Sequence, residues 1–291
     1  MRGVRGVNNL SFGALYIEAW SRARGGGDDV LLGPATGFLM GIPGDYWLIT
    51  ARHVVTGKRS DNSASLRTDG LHPDYLRVRF ASEGDNKFEA LEVVYELYDD
   101  DLGLDARWRG HQDSRVDIAA LRIGAVPHGA VDAFLPNMWP TLRNLVRAEH
   151  STALDGDAQA DADLPLRITD RLYVLGFPFG NTGSWPFAVW TAAPVASEPL
   201  AGWDGLPGFL LDSRTREGQS GSPVVLHIKP NESVVIGDDV YVHDSSVTAL
   251  VGVYCGRIDP RADLGMVWTA QALFTVVPEI APPGWPTETS P

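Results

Sequence analysis

Short apolar runs rich in β-branched and aromatic residues recur along the chain between clusters of Gly, Pro, Asn, Asp and Ser. That pattern predicts strands separated by turns. Six runs fall in the first half: residues 14–20 (ALYIEAW), 36–42 (TGFLMGI), 46–55 (YWLITARHVV), 75–81 (YLRVRFA), 88–97 (FEALEVVYEL) and 117–123 (DIAALRI). Six more follow: 171–177 (RLYVLGF), 187–195 (FAVWTAAPV), 208–213 (GFLLDS), 222–228 (SPVVLHI), 247–256 (VTALVGVYCG) and 264–270 (LGMVWTA). Helical periodicity is scarce. It predicts one short helix near 270–278 and another around 142–149. Twelve short strands with so little helix predict an all-β barrel or sandwich. The two sets are parted by residues 124–166, which hold the acidic, alanine-rich stretch STALDGDAQADADLP, read as a solvated loop or linker. The predicted division is an N-terminal barrel over 1–124, a linker over 125–166, a C-terminal barrel over 167–280 and a frayed proline-rich tail over 281–291.

Composition narrows the classes. The 291 residues can bury a sizeable core, and 44% hydrophobic with 21% charged residues fits a globular chain. A net charge of −13 without a basic run argues against nucleic-acid binding. No run of 18 apolar residues predicts a membrane span. The start, MRGVRGVNNLSFGALYIEAW, lacks the apolar core of a signal peptide, and the lone Cys255 allows no intrachain disulfide. Together these predict a cytoplasmic protein, although a chain whose leader had been removed would read the same way.

Three residues carry candidate chemistry. Ser220 stands between glycines in REGQSGSPVV (216–225). Gly218 leaves room for its own N–H and that of Ser220 to aim at one point. Gly221 lets the chain turn away, and Pro223 opens the next strand. Ser222, the rival hydroxyl, has no glycine two residues before it. His53, at the end of WLITARHVV, is the candidate base, and Asp117, heading DIAALRI, is the candidate carboxylate. Acyl transfer by a serine needs such a base, an orienting acid and N–H donors for the oxyanion. Taken one at a time, each residue also has an ordinary reading: a glycine-rich turn, a strand-end histidine, and a strand-start aspartate satisfied by backbone N–H groups.

Taken in order, Thr50-Ala51-Arg52-His53, Asp117-Ile118-Ala119-Ala120-Leu121 and Gly218-Gln219-Ser220-Gly221-Ser222-Pro223 resemble the motifs of chymotrypsin-like (trypsin-like) serine peptidases. The bacterial group with HtrA-type and glutamyl endopeptidase domains is the nearest in flavour, and LGFPFG (175–180) is similar to a segment of the HtrA type. The resemblance spans about residues 30–275. It implies two six-stranded antiparallel β-barrels with the active site in the cleft between them and a short C-terminal helix. It also implies a catalytic triad of His53, Asp117 and Ser220, with an oxyanion hole from the N–H groups of Gly218 and Ser220. The implied reaction is peptide-bond hydrolysis through an acyl-enzyme on a protein or peptide substrate, with no cofactor. The competing reading is a regulatory or peptide-binding module on the same fold, latent until a partner binds.

Many relatives carry an Asp just before the nucleophile that pairs with a freshly cut N-terminus. Here Gln219 is uncharged, which predicts activity without N-terminal processing. By the same resemblance, the substrate pocket is walled by Arg214, Thr215, Cys255, Gly256, Arg257 and Gly265. Arg214 or Arg257 could attract an acidic side chain; the alternative is that both face solvent or pair with local acids. Two departures from the family stand out. Arg52 replaces a small residue beside the base, and the insert YDDDLGLDARWRGHQDSR (98–115), placed outside the family core, leaves room for a regulatory protein partner. HPD (72–74) and HQD (111–113) supply too few ligands for a metal, and RGGGDD (24–29) lacks the ending of a phosphate loop. Cys255, in an apolar strand, reads as a small buried residue. Oligomeric state is left open.

Overall fold

The computed structural model describes residues 9–59, 63–83, 87–99, 105–130, 166–180, 183, 185–236, 239–242, 244–259 and 261–281. The predicted helix at 142–149, the acidic stretch 151–165 and nearly all of the tail lie outside them.

Two antiparallel sheets form the body. The first has seven strands: β1 (Leu15–Ser21), β2 (Val30–Ile42), β3 (Asp45–Thr50), β4 (Tyr75–Glu83), β5 (Phe88–Glu96), β6 (Trp108–Gly110) and β7 (Ala119–Gly124), in the order β5-β4-β1-β2-β3-β7-β6. Its two edges meet where Arg107 N–H donates to Leu97 O at 2.9 Å. The second sheet has six: β8 (Arg171–Gly176), β9 (Val189–Pro194), β10 (Gly208–Asp212), β11 (Pro223–Ile228), β14 (Val247–Arg257) and β15 (Leu264–Thr269), ordered β10-β15-β14-β11-β8-β9. Its edges also meet, Ala196 N–H donating to Leu210 O at 2.8 Å. β12 (Ser233–Ile236) and β13 (Asp239–Val242) form a separate two-stranded ribbon.

Three expectations change. The first barrel has seven strands rather than six, because part of the insert at 98–115 supplies β6, which pairs with β7. The ribbon β12-β13 was not foreseen. The run 46–55 is not one strand: it breaks after Thr50, and residues Arg52–Thr56 form a one-turn helix, α1. The break is physical. Gly57 caps the turn at φ 66 with its N–H on His53 O, while Val54 and Val55 are buried beneath it.

Alternation sets the faces. In β1, Ile17 and Ala19 point into the core, while Tyr16, Glu18 and Trp20 take the other face. The register places Glu18 opposite Arg77 and Arg79 opposite Glu92. Arg79 bonds Glu92 at 2.7 Å and Arg77 lies over the Trp20 ring at 4.4 Å. The barrels are joined by Phe12, Phe88 and Phe187, whose ring centroids lie 5.0–5.7 Å apart. Helix α2 (Ala270–Val276) follows β15, as predicted near 270–278, with the Thr269 side chain accepting from Ala272 N–H at 3.3 Å. Just beyond it, Glu279 bonds Arg109 of β6 at 2.8 Å.

Candidate active site

β3 is buried along its length and delivers the chain to Ala51, so α1 begins at a fixed point and its second residue is His53. Asp117 lies two residues before β7, which pairs with β3. The two strands bring the side chains together. His53 Nδ1 lies 2.7 Å from Asp117 Oδ2, and His53 backbone N–H donates to Asp117 Oδ1 at 2.8 Å. One carboxylate thus fixes both the ring and the backbone of the histidine. Asp117 is wholly buried, whereas the His53 side chain keeps 16% of its surface exposed. Burial pulls the His53 pKa down, but the charge and hydrogen bond of Asp117 outweigh it and leave the value raised above 6.5.

Ser220 lies on the loop between β10 and β11. Gly218 has φ 91 and Gly221 φ 86, both in the region that favours glycine. Neither position has room for a side chain. A Cβ at 218 would stand 2.4 Å from Phe177 O, and one at 221 would stand 2.2 Å from Thr36 O and 2.9 Å from Ala51 N. The second contact seats the serine loop directly on the segment that leads into His53. Among the described residues, Gln219, Gly221 and Ser222 give their N–H groups to Arg216 O, Tyr254 O and Gln219 O, whereas those of Gly218 and Ser220 have no acceptor. Phe179 N–H donates to Glu217 O at 2.5 Å and so fixes the peptide plane that carries the Gly218 N–H. Phe179 does this from a left-handed φ of 57. The Ser220 hydroxyl has one partner among the described residues, Cys255 O at 3.4 Å.

Two supports were not legible in the sequence. Thr36 of β2 is buried and reaches the serine loop from the other barrel. Its N–H donates to Ser220 O (2.9 Å), its Oγ1 donates to Gly218 O (2.7 Å) and accepts from Phe177 N–H (3.2 Å), and its carbonyl accepts from Thr50 Oγ1 (2.8 Å). Gln219 is the other. Its Oε1 accepts from Arg216 N–H at 2.9 Å and its amide donates to Thr191 Oγ1 of β9 at 3.0 Å. A polar residue heading an apolar run was the only available signal for Thr36.

The remaining candidates separate. Ser222 is fully buried against Gly176, where a Cβ would stand 2.2 Å from its Oγ, so it is closed to a substrate. Cys255 is buried; burial first, then the Asp117 charge, pushes its thiol pKa well up. Gly256, at φ 137, has open space where a Cβ would lie. Thr215 is buried and its hydroxyl bonds that of Tyr254, whose ring packs on Gly265. Arg214 is 84% exposed and faces Asp263 at 3.7 Å; Arg216 faces the same carboxylate at 3.9 Å. Arg257 ends β14 and is exposed. His72 and Asp74 share Arg24, and His111 Nδ1 accepts from Asp113 N–H at 3.0 Å, so both His-x-Asp pairs serve local structure. No group of three or more His, Cys, Asp or Glu gathers among the described residues, and no described helix is long and apolar enough to cross a membrane.

Among solved structures, the Rv3671c protease from M. tuberculosis in its active form is 18% identical, with a TM-score of 0.46, covering 94% of this chain and 82% of that one. Its inactive form is also 18% identical, with a TM-score of 0.43 and coverage of 94% and 91%. A serine endoprotease from Yersinia pestis is 11% identical, with a TM-score of 0.43 and coverage of 94% and 66%. No curated protein gives a significant match. The model of one family, described as a trypsin-like peptidase domain, matches residues 35–237, a span that holds Thr36, His53, Asp117 and Ser220. This chain belongs to the trypsin-like peptidase domain family.

Proposed function

We propose that the chain is a serine endopeptidase whose triad is Ser220, His53 and Asp117. The observation that carries this reading is the two-point grip of Asp117 on His53, set against a serine loop that packs on Ala51. Asp117 accepts from Nδ1–H, which leaves Nε2 unprotonated and free to act as a base. His53 takes the proton of Ser220 as Oγ attacks the peptide carbonyl carbon. The oxyanion that forms is met by the N–H groups of Gly218 and Ser220. His53 then protonates the leaving amine, and an ester on Ser220 remains. Water, activated by His53, attacks that ester and frees the carboxylate product and the serine.

The buried Gln219 amide supports activity without N-terminal cleavage. It is satisfied by Arg216 and Thr191, so the serine loop is braced with no buried carboxylate awaiting an amine. Preference for an acidic side chain draws less support from Arg214, which faces Asp263 at 3.7 Å, and rests on Arg257, exposed at the end of β14. Matched peptides with Glu, Leu or Lys at the scissile position test it, and a Lys preference overturns it.

A second reading has one observation in its favour. The Ser220 hydroxyl leans on Cys255 O at 3.4 Å, which fits a module at rest until a partner binds. Long, poorly aligned contacts are also common in catalytic sites without substrate. Digestion of an unfolded protein such as reduced casein separates the two. The peptidase reading expects cleavage that is lost in Ser220→Ala and in His53→Ala. Cleavage that appears only when a partner protein is added supports the second reading, and cleavage that survives both substitutions overturns the triad.

A further inference from the structure

Arg52 precedes His53 in α1, yet only 5% of its surface is exposed. A guanidinium stays charged, and burying one is costly unless opposite charge faces it. The 105–115 segment contributes to the burial. Gly110 of β6 pairs with Ala119, two residues from Asp117, and a Cβ at 110 would stand 3.5 Å from Arg52 Cδ. That is ordinary contact distance, so the Gly110 backbone lies against the Arg52 stem. Asp117 is the leading opposing charge; Asp113, from the same segment, adds to it but is itself bonded by Arg115 at 2.7 Å.

We propose that Arg52 is a positioning residue of the triad: a buried cation next to His53 in α1, with the 105–115 segment packed on its stem, that tunes His53 as a base. The proposal rests on the roles given above to His53 and Asp117. The charged and titratable groups around this centre come from several elements. Arg52 itself is on α1, Asp117 lies before β7, and Cys255 of β14 feels the Asp117 charge. His111 and Asp113 come from the insert, and the Tyr98 hydroxyl donates to Val55 O of α1. Burial is the leading influence on both histidines, and the Arg52 charge disfavours the protonated form of each. Asp117 pulls His53 the other way. The 105–115 segment therefore packs on a buried cation that neighbours the histidine held by Asp117.

The test is a histidine-selective NMR titration of the full chain in a Ser220→Ala background, with the His53 signal assigned by its loss in His53→Gln. Arg52→Gln removes the charge and moves the His53 midpoint up by about half to one pH unit. Arg52→Lys keeps the charge and leaves the midpoint within about 0.3 of the parent. An unmoved midpoint in Arg52→Gln overturns the proposal, as does a shift of about one unit in Arg52→Lys, which decides alone if the glutamine variant does not fold. Because Ser220 is absent, the result does not depend on catalysis. Failure of the parent enzyme to cleave or to be labelled would overturn the peptidase reading and leave this measurement standing.

Discussion

Thr36→Val tests how the first barrel governs the serine loop. Valine matches threonine in shape and exchanges Oγ1 for a methyl group. Two buried groups then lose their partner: Gly218 O, bonded at 2.7 Å, and Phe177 N–H, at 3.2 Å. An unsatisfied buried polar group costs about 1–3 kcal/mol, so the pair predicts a loss of about 2–6 kcal/mol. The backbone bond from Thr36 N–H to Ser220 O survives, which keeps the loop in place while freeing the Gly218 peptide. One oxyanion donor is worth about 10²–10³ in rate, so even partial loosening of Gly218 slows nucleophilic attack by Ser220 by at least about tenfold. The assay is the second-order rate of labelling by a fluorophosphonate, read beside guanidinium unfolding. Thr36→Ser keeps the hydroxyl and retains most of the labelling rate. A Thr36→Val protein within about twofold of the parent in rate and about 0.5 kcal/mol in stability would refute the clamp.

Other expectations follow from single contacts. Gln219→Leu deprives Arg216 N–H and Thr191 Oγ1 of their partner and destabilises by about 1–3 kcal/mol in a denaturant titration. A tag sealing the N-terminus leaves the labelling rate unchanged. Gly221→Ala forces a Cβ to within 2.2 Å of Thr36 O at φ 86, and is expected to abolish labelling. The raised His53 pKa gives the pH dependence its sign. Labelling needs the neutral imidazole, so its rate falls on acidification with a midpoint above 6.5. The His53–Asp117 pair adds stability that is full below 6.5 and is lost as pH rises through the native His53 value, which unfolding at several pH values measures.

Period-2 patterning located most of the long strands, because one face of each meets a core and the other meets solvent. It failed where local chemistry overrode it. The run 46–55 reads as one strand because Val54 and Val55 are apolar, yet a left-handed Gly57 closes a helical turn there. β6 has three residues, too few for any period, and exists because β7 offers an edge. The candidate triad was legible because acyl transfer restricts residue type so tightly. Its supports were not. Thr36 lies 182 residues from Gly218, and Gln219 reaches Thr191 across 28, so only the folded barrels reveal either bond. Arg52 was visible as a departure from the family, but its burial beside Gly110 was not, because no pattern predicted the path of the insert.

The central claim is that His53 and Asp117 make Ser220 a nucleophile. Its most direct measurement is intact-mass and peptide mapping of the protein after treatment with a fluorophosphonate. The account predicts one adduct per chain, located on Ser220 and absent from Ser220→Ala, with labelling suppressed in His53→Ala. No adduct on the parent protein, or an adduct that persists in Ser220→Ala, would contradict it.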